Sequence, residues 1–141
     1  MRNRNYTRDS GRPAVIGTFE ERIKLLSTAS QVIDKMRSSG YFSPTDLDSL
    51  QSVRLGFLRE PEERIWGCCS YSRAHQSART AGARTWRVLV HRMLLHEQSD
   101  ELEKTLYHEF LHSILGPDEG HGSEFLELES RWSSLSNGHT Q

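Results

Sequence analysis

Within the 141 residues of the chain, one short segment has the residue types and spacing to do chemistry: His108-Glu109-Phe110-Leu111-His112. Side chains four residues apart on an α-helix project from neighbouring turns of one face, so two imidazoles placed there can reach a single ion at about 2.0 to 2.1 Å. Glu109 lies beside the pair, where its carboxylate can take a proton from a water the ion has acidified without being a ligand itself. Two protein ligands are too few, because a catalytic zinc site takes three and keeps one position open. His121 is the first candidate for the third. Gly116, Pro117, Gly120 and Gly122 let the chain reverse after the helix, and Gly122 removes bulk beside the ligand. Glu124 and Glu127 compete for the same role, as carboxylates on a following helix.

The remaining reactive residue types read as structural. His91 and His96 flank an apolar run and suit the surface or a supporting position, while His75 and His139 fall in polar stretches. Cys68 and Cys69 are adjacent, which excludes an intrachain disulfide and a four-cysteine zinc ribbon, and both suit the interior of a strand. Trp66 and Trp86 occupy strand-like positions and are expected in the core rather than on a base-stacking platform.

These residues need a scaffold, and the hydrophobic pattern outlines one. Residues 1–16 are polar and arginine-rich and are expected to form a flexible arm. Thr18 followed by Glu21 is a capping-box pattern, and Phe19, Ile23, Leu26, Ala29, Ile33 and Met36 recur at helical spacing up to Gly40. Ser43-Pro44-Thr45-Asp46 opens a short helical turn. Residues 53–58 and 64–71 read as two strands joined in a hairpin across Glu60-Pro61-Glu62-Glu63. Residues 72–85 read as a loop, and 86–95 as a third strand built on Val88-Leu89-Val90. Ser99 or Asp100 caps the helix that carries His108, with Leu102, Leu106, Phe110 and Ile114 as its apolar stripe and Gly116-Pro117 as its end. Ser123 then caps a last helix presenting Phe125, Leu128, Trp132 and Leu135, and a disordered tail is expected over 136–141.

Charge is distributed unevenly around a net of −1. Acids dominate from Glu97 to Glu129, where Lys104 is the sole lysine or arginine, whereas bases prevail up to Arg92. Arg73, Arg79, Arg84 and Arg87 flank or occupy a stretch without a single acid and are the candidate contacts to a polyanion such as DNA. No run of eighteen apolar residues and no signal-peptide pattern is visible, so no membrane span and a cytoplasmic location are expected, with a nucleoid or nuclear location for a DNA-associated protein.

The stretch Leu106-Tyr107-His108-Glu109-Phe110-Leu111-His112, followed by Gly120-His121-Gly122-Ser123-Glu124-Phe125, resembles the SprT-like metallopeptidase domain. That family's signature is a His-Glu-x-x-His helix, then a histidine-glycine step and an aromatic residue opening the next helix. The wider order from Thr18 to Leu135 is similar too, including a Gly-Cys segment at Gly67-Cys68, and the step from His112 to Pro117 is similar to the related WLM-type peptidases. The resemblance implies zinc bound by His108, His112 and His121, with Glu109 as catalytic base. Members of the Spartan type cleave proteins crosslinked to DNA, so it also implies a protein substrate and a role at DNA.

Together these readings predict a monomeric α+β domain of zincin type over residues 17–135: a long first helix, about three strands, the active helix and a closing helix. The third strand is expected at the edge of the cleft, pairing with an extended substrate. The function expected is zinc-dependent endopeptidase. A regulatory peptidase that cuts one partner such as a repressor, and a non-catalytic zinc-stabilised DNA-binding module, are the alternatives.

Overall fold

The computed structural model describes residues 17–58, 66–73, 84–96, 100–117 and 119–137, with the side chains of residues 72, 73, 84, 85, 136 and 137 outside that description. Helix α1 (Phe19–Ser39) begins at the expected capping box: the Thr18 hydroxyl accepts from the Glu21 N–H at 3.1 Å, and the Glu21 carboxylate accepts from the Thr18 N–H at 2.8 Å. The helix ends at Gly40, as the pattern predicts. Its buried face is Leu25, Ala29, Val32 and Met36, each such side chain larger than alanine worth about 1.5 to 3 kcal/mol in burial. Phe19, Ile23 and Leu26, expected inside, are exposed. The polar Glu21 and Lys24 lie instead toward the chain around residues 92–96, bonding Arg92 and the Leu95 carbonyl, and they fix the rotation of the helix.

Ser43 caps the short helix α2 (Pro44–Ser49), and one 3-10 turn follows. The sheet has the order β1-β3-β2, with β1 spanning Arg54–Phe57, β2 Gly67–Arg73 and β3 Arg84–Val90. Strand β3 runs parallel to β1 and antiparallel to β2. This corrects two expectations. First, β1 and β2 do not form a hairpin with each other, because each pairs with β3. Second, β3 is the central strand and not an edge. The cause lies in its side chains: Val88 and Val90 are fully buried in the main core, while Leu89 packs on the opposite face with Leu58 and Cys68. A strand covered on both faces belongs in the middle of a sheet.

The third strand also stops at Val90 rather than continuing to residue 95. Leu94 and Leu95 are both buried in the main core, where a strand would send one of them to the opposite face, and a 3-10 turn over Arg92–His96 turns both inward. Residues 72, 73, 84 and 85, expected in a loop, extend the β2–β3 ladder.

Helix α3 (Glu101–Leu115) is the most enclosed element, with Leu102 and every residue from Thr105 to Ser113 buried. It packs against β2 and β3 on one side and against α1 and α4 on others. Asp100 occupies the N-cap position, yet its carboxylate makes no cap bond and accepts from the Trp132 indole N–H at 3.3 Å. The expected single closing helix is two: α4 (Ser123–Ser130) and α5 (Trp132–Asn137), separated at Arg131. The break brings Phe125, Trp132 and Leu135 into the core together. Ser136 and Asn137, placed by the sequence in a tail, lie in α5, while the expected arm over 1–16 and residues 138–141 fall outside the described residues. Among the described residues no helix is long and apolar enough to cross a membrane.

Candidate metal centre

Helix α3 carries His108 and His112 on one face, and the turn after it brings His121 back over them. That turn depends on Gly116 and Gly120, at φ +85° and +55°, a region costly for other residues. It is fastened by Glu119, whose carboxylate accepts from the N–H groups of Glu124 and Phe125 at 3.2 and 3.4 Å. Glu119 thus does at the start of α4 what the sequence assigns to Ser123, which is the first residue of the helix and not its cap. A Cβ on Gly122 would lie only 3.0 Å from the Glu119 carboxyl carbon, so the absence of a side chain there makes room for Glu119.

The outcome is a cluster in which His108, His112 and His121 each offer one ligand atom, all within 4.8 Å of one another. Phe125 closes the back of the cluster, its ring centroid 4.9 Å from His108, 4.5 Å from His112 in a stacked arrangement, and 4.9 Å from His121. His108 and His112 are buried, and His121 is exposed. Burial, followed by the charges of His108 and His121, pushes the His112 imidazole down to about 4. Burial likewise lowers His108, against the opposing pull of Glu129. Both rings are therefore neutral near pH 7, the state a metal ligand requires.

Glu124 and Glu127 do not join the cluster. Both are exposed, and the Glu127 carboxylate pairs with Arg131 at 2.8 Å. The acid that does reach it is Glu129, which the sequence reading missed: its Oε2 contacts His108 Nδ1. A carboxylate on one ring nitrogen fixes the tautomer and orients the other nitrogen toward an ion. A signal for it existed in the helical period, since Glu129 lies four residues beyond the buried Phe125 and so shares its face.

Glu109 is fully buried, and neither of its carboxylate oxygens has a hydrogen-bond partner among the described residues. Burial first, and then the charge of Glu129, pushes its carboxyl up to about 8. Its space is provided by Gly67, where a Cβ would lie 2.9 Å from Glu109 Oε2. Three converging imidazoles are the donor set of a metal site, and an orphaned buried acid follows the first of them in sequence, so these residues fit a bound divalent ion.

His91 and His96 are away from the cluster: His91 Nδ1 accepts from the Met93 N–H at 3.1 Å, and His96 lies 3.4 Å from Glu21. Cys68 and Cys69 are buried and form no disulfide, and Cys69 is raised well above the usual thiol range by burial and then by Glu109 and Cys68. Trp66 and Trp86 pack against the core. Among the arginines, Arg73 and Arg84 are direct partners in the β2–β3 ladder and Arg87 lies opposite both Ser70 and Arg54. Arg79, His75 and His139 are outside the described residues.

A three-stranded mixed sheet over a histidine-bearing helix, with a third histidine returned by a glycine turn, defines an α+β domain with a three-histidine cluster. Residues 41–139 match the SprT-like family, and the chain belongs to that family. The match begins after α1, so the long first helix lies outside it. No curated protein and no solved structure matches the chain.

Proposed function

We propose that the protein is a zinc-dependent endopeptidase in which His108, His112 and His121 hold the ion and Glu109 is the general base. The observation that carries this reading is the buried Glu109 carboxylate, unpartnered among the described residues and borne by the residue that follows His108 of the three-histidine cluster. A structural zinc site has four protein ligands and no use for such an acid, which argues against the non-catalytic module. Zinc, when bound, would supply the Lewis acidity that acidifies water and polarises a carbonyl. Glu129 orients His108, and Phe125 keeps water from the back of the imidazoles. The charge of a bound ion would favour the carboxylate form of Glu109, which would then take a proton from the attacking water and pass it on to the leaving amine.

The substrate backbone is held by β2. Among the described residues this strand pairs only with β3, and its first residue, Gly67, lies against Glu109. Tyr71 at its other half lines a small pocket together with His112, Gly116 and Gly120. An extended peptide added to this edge passes the cluster from one end to the other, so strand addition is assigned to β2 in place of β3. Backbone pairing of this kind suits unfolded or extended protein.

The reading includes substrates held on DNA. Its support is that Arg54 and Arg87 stand side by side across β1 and β3, as Arg73 and Arg84 do across β2 and β3, and rows of like charge favour a polyanion.

The test is elemental analysis combined with hydrolysis of an unfolded protein, with and without DNA. About one zinc per chain, lost in His108→Ala and His112→Ala, and hydrolysis abolished by a chelator are expected. Stoichiometric zinc in both variants contradicts the ligand assignment. A single product from one partner, with unfolded protein left intact, favours the regulatory peptidase. Replacing Arg73, Arg79, Arg84 and Arg87 by glutamine should flatten the salt dependence of DNA binding by roughly 0.7 to 0.9 in log–log slope for each phosphate that is no longer neutralised. Failure of the parent to bind DNA at low salt removes the DNA part alone.

A further inference from the structure

A cavity of about 240 Å³ adjoins the histidine cluster on the side toward the start of α3, and His108 is common to both. Its lining draws on Thr105 and Tyr107 from α3, Glu129 from α4, Trp132 from α5, and Trp66 just before β2. The rings are held in place by their polar ends. Tyr107 donates its hydroxyl to the Leu128 carbonyl, Trp132 donates its indole N–H to Asp100, and the two ring centroids are 5.1 Å apart. What they present to the cavity is therefore aromatic carbon. The charged residues are accounted for separately. Glu129 contacts His108, and Glu101 and the exposed Lys104 stand one turn apart with opposite signs.

We propose that this cavity is the subsite for the substrate side chain next to the scissile bond and that it selects an aromatic residue. The inference rests on the peptidase reading and adds a substrate preference to it. Position supports it, because the cavity opens where β2 begins, and a peptide paired to that edge turns every second side chain toward α3. Size agrees as well, since the volume admits one large side chain and is below that of pockets for drug-sized ligands.

Magnitudes decide between an aromatic occupant and a basic one. Burying a large apolar side chain is worth more than an ion pair at a solvent-exposed rim, where Glu101 and Lys104 offset each other. Ring-on-ring contact with Trp66, Tyr107 and Trp132 adds to the aromatic side.

The experiment uses the zinc-loaded full chain and peptides that differ only in the residue flanking the cleaved bond: phenylalanine, alanine, arginine or glutamate. Phenylalanine peptides are expected to be cleaved about ten- to a hundredfold more efficiently than alanine peptides. Trp66→Ala should reduce that ratio at least severalfold, and Trp66→Phe should restore most of it. A binding arm needs no activity: N-acetylphenylalaninamide added to metal-free protein should shift the Trp132 indole N–H resonance in the parent and Trp66→Phe, and not in Trp66→Ala.

Efficient cleavage that ignores the flanking residue, or that prefers arginine, overturns the proposal while leaving the peptidase reading intact. Binding of the aromatic amide without cleavage of any peptide supports the aromatic cavity and counts against the peptidase. Neither binding nor cleavage overturns both. Should Trp66→Ala fail to fold, the Trp66→Phe protein and the parent's own peptide preference still decide.

Discussion

Replacing Gly67 by alanine probes how closely β2 and α3 approach at the proposed base. The added Cβ would lie 2.8 Å from Thr105 Cγ2, 2.9 Å from Glu109 Oε2 and 3.2 Å from Glu109 Cγ, where ordinary contact begins at 3.4 Å. The shortfall is about half an ångström on two buried side chains of one enclosed helix, so neither can swing into solvent. Overpacking of this kind costs about 1 to 3 kcal/mol, offset by about 0.5 to 1 kcal/mol from removing a strand glycine. The net loss is about 0 to 2.5 kcal/mol, or up to roughly 8 °C in Tm for a chain of this size. Hydrolysis should suffer far more, because moving Glu109 by a fraction of an ångström to one ångström costs up to about a hundredfold. Thermal melts, zinc content and kcat/KM on an unfolded protein together measure this. The expected pattern is a small loss of stability, unchanged zinc and a large loss of rate. Parental activity in the Gly67→Ala protein, or zinc lost in step with activity, refutes the reasoning.

Two further outcomes follow from named contacts. Glu129→Ala should weaken zinc binding by about ten- to a hundredfold in competition with a chromophoric chelator, with partial rescue in Glu129→Gln, and equal affinity in all three proteins would deny it an orienting role. Glu21 is held down to about 2, first by the Thr18 N–H and then by Arg92. A carboxylate lowered in the folded state adds stability that is present above its ordinary value of 4.5 and is lost as pH falls toward 2. Glu21→Gln should flatten the acid limb of the stability profile in that window, and Thr18→Ala should cost about 1 kcal/mol at neutral pH; unchanged denaturation curves would discount the capping box.

The three-histidine cluster was legible because it rides on local periods. A four-residue step put His108 and His112 on one face, and positive-φ glycines announced the reversal to His121. The same holds for α1, whose caps at Thr18 and Gly40 were readable residue by residue, although its apolar pattern admitted two faces and Glu21 and Lys24 selected the other one. Strand order was not legible, since residues 53–58 and 64–71 carry no mark of whether they pair with each other or both with β3. That choice is made by burial on both faces of Val88-Leu89-Val90, a tertiary fact. Glu119 and Glu129 escaped for a related reason: their partners are the N–H groups of α4 and a ring of α3, and only the closed turn brings them together.

The central claim is that Glu109 acts on the reacting water and does not bind the ion. The most direct measurement compares zinc content and hydrolysis of an unfolded protein in the parent and in Glu109→Gln. The account predicts about one zinc per chain in both proteins, and hydrolysis lower by about a hundred- to ten-thousandfold in the variant. Equal hydrolysis with zinc bound in both, or zinc lost from the Glu109→Gln protein, would contradict it.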